Sequence, residues 1–303
     1  MAISLYNIQK WYKMLTGQSV LHVNQDLGEN FRVDTISGYY NNLTMKVLMQ
    51  KELLNTEELP KVLTEDGEYI YFPVAIFQYG LGAYDLYLQT GEEKYKAKFF
   101  QCCEWAINNQ ESTGAWSNFF FIYKDHPYGA MAQGEGTSLL LRGYVQTRDE
   151  RFLIAAKRSI DFMLMPVDEG GTTIYRSPDI VFLEYTHLPV VLNGWIFSLF
   201  GLYDAALIIQ DGTRYKRVFD DSVVTLLNAL DRFDNGYWSL YDLGNHIASP
   251  FYHNLHIAQM QALYEITKEN KFKVFADKWT LYQNRNMNKF RAFIVKAYQK
   301  IIQ

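Results

Sequence analysis

The 303-residue chain is most informative first for what it has little of. Its two cysteines, Cys102 and Cys103, are adjacent and cannot easily bridge one another, so a disulfide framework is excluded. No apolar run approaches the roughly 18 residues that cross a bilayer. The opening Met-Ala-Ile-Ser-Leu-Tyr-Asn lacks a basic stretch followed by a long apolar one, so no secretion signal is expected and a reducing cytoplasm is the simplest home. Basic residues (29) do not outnumber acidic ones (33), and the net charge of −4 argues against a nucleic-acid or anionic-membrane partner. The same balance fits a polyanionic substrate only if the positive groups are gathered in the cleft. No linker rich in Pro, Gly or Ser divides the chain, so one domain over residues 1–303 is expected, with N-terminal helices within 1–60 packed on the rest. A Gly-x-Ser-x-Gly nucleophile elbow is missing. Gln133-Gly-Glu-Gly136 lacks the Lys and the preceding strand of a phosphate loop.

What is abundant is aromatic: 23 Tyr, 20 Phe and 6 Trp, enough to fill a helical core and still face the apolar sides of sugar rings. The chain also repeats. A turn marker recurs at Thr90-Gly-Glu-Glu-Lys-Tyr95, Thr147-Arg-Asp-Glu-Arg-Phe152, Asp211-Gly-Thr-Arg-Tyr215 and Thr267-Lys-Glu-Asn-Lys-Phe272, at intervals of 57, 64 and 56 residues. A second marker sets Gly before an aromatic, strand-like stretch at Asp66–Tyr71, Thr113–Ser117, Gly170–Tyr175 and Asn235–Ser239. One unit therefore reads as extended loop, inner helix, tight turn, outer helix. The periodicity places inner helices near 74–89, 132–146, 191–209 and 252–266, and outer helices near 92–109, 150–165, 214–231 and 270–284. Further helical patterns lie near 3–16 and 36–57. Such hairpins cannot bury their own apolar faces and must stack, which predicts an all-α fold, an (α/α) barrel or toroid with short β-like loops at its active end.

Stacking in one direction brings every inner-helix start to one rim, and unusual polar residues collect there. They are Gln78 and Tyr79; Gln133 and Glu135; Glu184, Tyr185 and Asn193; and Tyr241, Asp242, Tyr252, His253 and His256. Tyr252, His256 and Gln259 fall on one helical face, which reads as a wet rim above a dry core. Backbone capping, buried hydrogen-bonded pairs and close glycine packing are the plainer explanations of the same residues, and only the recurrence argues beyond them. His253 and His256 stand three apart with no further ligand at a telling spacing, so no metal is expected.

Those residues carry a family resemblance. Pro127-Tyr-Gly-Ala-Met-Ala-Gln-Gly-Glu-Gly-Thr-Ser-Leu-Leu-Leu-Arg-Gly-Tyr144 resembles the signature of the D-glucuronyl C5-epimerase C-terminal domain. Tyr71–Leu81, Glu184-Tyr185 with Val191–Gly194 and Gly201–Asp204, and Tyr241–Leu243 with Tyr252–Ile257 agree with it in order, over about residues 66–285. The resemblance implies an (α/α) barrel that binds heparosan-like polysaccharide and inverts C5 of glucuronate to give iduronate, as a single chain or a homodimer. It assigns Glu184, Tyr185, Tyr241 and Tyr252 to the acid/base and tyrosine positions. Gln78, Tyr79, Gln133, Asn193, His253 and His256 would line the sugar site. Gly244 stands where the family carries an Arg suited to the substrate carboxylate. Arg32, Arg142 and Arg176 are the candidate replacements, Arg176 the best placed.

The C5 proton lies α to a carboxylate, and inversion needs an acceptor on one ring face and a donor on the other. A carboxylate serves as base directly, and a tyrosine does so if its neighbours lower its pKa from roughly 10. Glu184 and Tyr252 form the expected opposed pair, with Tyr241 and Tyr185 polarising the carboxylate or relaying protons. Proton exchange needs no cofactor. The alternatives are a polysaccharide lyase, a glycoside hydrolase using Glu135 and Glu184, and a glycan-binding protein without turnover.

Overall fold

A computed structural model of the chain describes residues 22–210 and 212–302, so the helix expected near 3–16 lies outside the described residues. A short helix α1 (Thr44–Leu48) precedes four helical hairpins: α2 (Pro73–Thr90) with α3 (Glu93–Asn108), α4 (Ala130–Thr147) with α5 (Glu150–Met163), α6 (Leu192–Ile208) with α7 (Gly212–Ala229), and α8 (Pro250–Thr267) with α9 (Asn270–Gln283). A last helix, α10 (Asn286–Ile302), follows. All eight hairpin helices fall within about two residues of the expected spans.

Burial separates the two layers. In α2, α4 and α6 the first 14 residues are all buried, as a helix apolar on every side requires. In α3 only Tyr95, Lys98, Phe99, Cys102, Cys103 and Ala106 are buried, a single stripe at helical spacing. Inner helices pack on one another in order, α2 on α4, α4 on α6, α6 on α8, and each is backed by its outer partner. The fold is an all-α toroid of helical hairpins. Between α4 and α6 the inner layer closes tightly, since a Cβ at Gly134 would lie 2.8 Å from Ser198 Cα. Among the described residues no helix is long and apolar enough to cross a membrane.

The turn marker has one geometry three times. Gly91, Arg148 and Lys268 each follow a helix in the left-handed region, with φ of 71°, 60° and 60°. The Thr before each donates its hydroxyl back to the helix, to Leu86, Gly143 or Leu263 carbonyl oxygen, and accepts from the N–H two residues on. The second marker is also conformational. Gly67, Gly114, Gly170 and Gly236 all have φ between 84° and 95°, a region side chains disfavour. Only two of the four stretches pair as strands, β1 (Lys61–Leu63) with β2 (Tyr69–Tyr71) and β3 (Thr173–Arg176) with β4 (Asp179–Phe182), both antiparallel. At Trp116 the backbone N–H and carbonyl are taken instead by the Gln133 amide, so no strand forms.

The expected helix over 36–57 breaks up. Only α1 and a 3-10 turn, Lys51–Asn55, are helical, and residues 37–40 run across the C-terminal halves of the inner helices. Stronger partners than an i→i−4 ladder hold them. Tyr39 N–H donates to Asp85 of α2 (3.0 Å), Tyr40 hydroxyl to Asp204 of α6 (2.7 Å), and Arg142 of α4 donates to the Ser37 and Gly38 carbonyls. The Arg142–Asp204 ion pair (2.6 Å) is fully buried. This strap closes the end of the ring opposite the loops.

Candidate active site

At the other end, the inner-helix starts and their preceding loops surround a cleft of about 610 Å3. Lys46 of α1, Gln78 of α2, Glu184 and Tyr185 of the loop after β4, Asn193 of α6 and Tyr252 of α8 all line it. Phe72, Phe119, Phe121 and Phe251 add apolar ring faces, while Glu65, Asp66 and Glu68 of the β1–β2 hairpin stand at the wall.

Local structure fixes each polar group. Ala130 N–H, at the start of α4, donates to Leu183 carbonyl, and Tyr185 stacks on Phe119 with centroids 4.4 Å apart, so the Glu184-Tyr185 loop is held from two sides. Gly194 leaves the space that the Glu184 side chain fills: a methyl there would meet Oε2 and lie 2.6 Å from Glu184 Cβ. Tyr241 is pinned to the start of α6, its carbonyl accepting from Leu192 N–H, and its ring lies 4.8 Å from that of Tyr252. Ser249 caps α8 and accepts from Tyr252 N–H, which fixes where that ring begins. Asp242 accepts from Gly244 N–H, His246 N–H and His246 Nδ1, and so builds the turn carrying Tyr241. Gly244 packs on Pro189, where a Cβ would be 2.9 Å from Cγ.

Electrostatics sets the protonation states. Burial raises Glu184 to about 8, against a smaller opposing effect of its contact with Tyr185, and Oε2 is buried without a hydrogen-bond partner. The rings of Tyr185, Tyr241 and Tyr252 are part-buried, yet burial of their hydroxyls, and next the charge of Glu184, hold all three well above the ordinary tyrosine value. The expectation that neighbours lower a tyrosine here is therefore reversed. Glu135, fully buried and hydrogen-bonded by Gln78 Nε2 (2.7 Å), is likewise raised to about 8 by burial. It does not line the cleft, so Glu135 and Glu184 do not flank one sugar as a hydrolase pair.

The structure thus brings Glu184, Tyr185, Tyr241 and Tyr252 together, with Gln78 and Asn193 beside them. Other sequence candidates go elsewhere. Tyr79 is buried on the outer side, with its hydroxyl donated to the Gln50 carbonyl. Gln133 clips Trp116 backbone. His253 stacks on Trp238 at 3.7 Å and bonds Ser239 and the Trp279 carbonyl. His256 Nδ1 shares the same Ser239 hydroxyl (2.9 Å), and Gln259 Nε2 donates to Asn193 carbonyl. The polar face read as a wet rim is, below Tyr252, a buried network, because Ser239 and the Asn193 carbonyl supply partners that water would otherwise provide. Of the arginines, Arg142 is committed to Asp204, Arg32 is exposed beside Asp34, and Arg176 is exposed on β3, off the cleft. Sequence reasoning missed Lys46. Its signal was a lysine three residues after Leu43 and beside Val47, on the apolar face of a short helix.

At one end of the all-α toroid a buried carboxyl and two tyrosines, Tyr185 and Tyr252, line one cleft, with Tyr241 packed against Tyr252. The D-glucuronyl C5-epimerase C-terminus family matches residues 104–281, well over half the chain, and the protein belongs to that family. It is 27% identical to the D-glucuronyl C5-epimerase of Caenorhabditis elegans over 218 aligned positions, 63% of this chain and 35% of that protein. It is 30% identical over 166 positions to an uncharacterised protein of Methanocaldococcus jannaschii, covering 50% of this chain and 51% of the other. The chain thus spans between a third and half the length of these relatives.

Proposed function

We propose that the protein inverts C5 of glucuronate residues within a polysaccharide of the heparosan type, without a cofactor. The observation that carries the reading is the unpartnered Glu184 Oε2, buried beside Tyr185 and Tyr252 at the cleft, with Tyr241 packed against Tyr252. A carboxylate held at about 8 is a base matched to neutral pH, and tyrosines held above their ordinary value are proton donors. Glu184 takes the C5 proton as an O–H bond forms, and the C–H electron pair moves into the substrate carboxylate. Tyr252 then gives its proton to the opposite ring face, and the proton on Glu184 returns to Tyr252 through Tyr185 and Tyr241. Hydrogen bonds from fixed donors, Gln78 and Asn193 amides among them, suit the charge that develops on the carboxylate.

A lyase shares the first step and differs only in losing the C4 substituent. Incubation with a glucuronate polymer in D2O, read by NMR at C5 and by ultraviolet absorbance, separates the two. Deuterium at C5 with iduronate is expected; an unsaturated product would mean a lyase, and no deuterium in either sugar would end the epimerase reading.

A further inference from the structure

The overall charge of the chain left open how a carboxylate substrate is attracted, and the cleft answers with a single group. Among the described residues lining it, Lys46 is the sole Lys or Arg. It comes from α1, whose Leu43 and Val47 neighbours are fully buried, so the ammonium is delivered from the core side of the cleft and the residue is only 3% exposed. Gln78, Glu184, Asn193 and Tyr252 line the same space, and the buried Glu135 carboxyl, itself held by Gln78, is its near acidic neighbour. The arginines expected to meet the substrate are all occupied or exposed elsewhere.

Resting on the uronate reading above, we propose that Lys46 is the specificity-determining residue of the site, its ammonium receiving the carboxylate of the one uronate ring whose C5 faces Glu184. The geometry then explains the chemistry. The group that draws electron density from C5 is the carboxylate, and a buried cation beside it stabilises the charge as it moves there. Burial also lowers the Lys46 pKa to about 8, so an arriving carboxylate finds an ammonium with little hydration left to lose and restores its proton affinity. With one cation at its base and Glu65, Asp66 and Glu68 at its wall, the cleft suits a glycan with isolated carboxylates between neutral sugars, and disfavours one dense in sulfate.

Calorimetry with two hexasaccharides tests this, one alternating glucuronate with N-acetylglucosamine and one with the same glucuronates reduced to glucose. The parent protein is expected to bind the first at least about 100-fold more tightly, as for a buried charge pair. Lys46→Met should bind both alike, while Lys46→Arg keeps most of the discrimination; circular dichroism establishes that each variant is folded. If Lys46→Met is poorly folded, Lys46→Gln replaces it and must likewise bind both hexasaccharides alike. A parent that does not discriminate, or a folded Lys46→Met that still does, overturns the assignment. Deuterium exchange is measured separately, so loss of the epimerase reading shows itself in the parent without bearing on the binding result.

Discussion

Replacing Glu184 by Gln removes the proposed base while keeping its shape, and the pH dependence of the parent says how large the effect must be. With the carboxyl at about 8, only about one-tenth of it is ionised at pH 7 and about one-hundredth at pH 6. C5 exchange at saturating substrate should therefore rise about tenfold from pH 6 to pH 7, about fivefold more to pH 8, and level off above. A bound uronate carboxylate keeps Lys46 protonated, so saturation isolates the rising limb. At low substrate the profile becomes bell-shaped, because Lys46 with no substrate carboxylate beside it loses its proton in the same region. Glu135, also at about 8 and electrostatically coupled to Glu184, makes these limbs properties of the pair. Glu184→Gln should lower exchange by about 100- to 10,000-fold, the usual worth of a positioned base, and abolish the rising limb. The assay is single-time-point NMR of C5 deuterium across pH 6–9.5 for both proteins. A Glu184→Gln variant within a few-fold of the parent, or a parent rate flat from pH 6 to 8, would refute the assignment of Glu184.

Four further outcomes follow from the same structure. Gly194→Ala should cut exchange at least about tenfold while moving KM less, because the methyl occupies the space of the Glu184 side chain; steady-state kinetics on the folded variant checks it. Arg142→Met should cost about 3–5 kcal/mol in urea unfolding, since it leaves Asp204 buried and uncompensated far from the cleft. Stability should fall as pH rises from about 6.5 to 8. Burial raises Glu135 and Glu184 above their unfolded values, so the native state holds protons that the unfolded chain has already released, worth up to about 1.4 kcal/mol per pH unit for each. Thermal melts across that range test it, and a Glu135→Gln, Glu184→Gln double variant should flatten the slope. His253 and His256, lowered by burial, act in the opposite sense and only below about 6.5. Arg148→Gly and Lys268→Gly should each raise stability by about 0.5–1 kcal/mol, because both residues hold a left-handed turn that glycine adopts without strain; differential scanning calorimetry reads it.

The toroid was legible because its information is local and periodic. Thr90, Thr147 and Thr267 each end a helix by the same two hydrogen bonds, and Gly67, Gly114, Gly170 and Gly236 each hold the same backbone region, so four copies reinforce one reading. The cleft is legible only in part, for the opposite reason. Glu184, Tyr185, Tyr241 and Tyr252 sit in loops and helix starts whose place in the repeat is known, whereas His253, Gln133 and Tyr79 occupy equally suggestive places and are turned away by partners 14 to 29 residues distant in sequence but adjacent in space. Nothing local distinguishes a glutamine that clips Trp116 from one that faces a sugar. Lys46 lay in a segment whose pattern suggested a longer helix, and that helix fails because Asp85, Arg142 and Asp204 compete for its backbone and its tyrosines. The competition has a functional consequence. The strap that closes the far end of the ring runs directly into α1, so the Arg142–Asp204 lock and the position of Lys46 are properties of one short segment. A substitution that loosens the lock without unfolding the ring should therefore disturb carboxylate binding more than it disturbs Glu184, which is held from α4 and α6 instead.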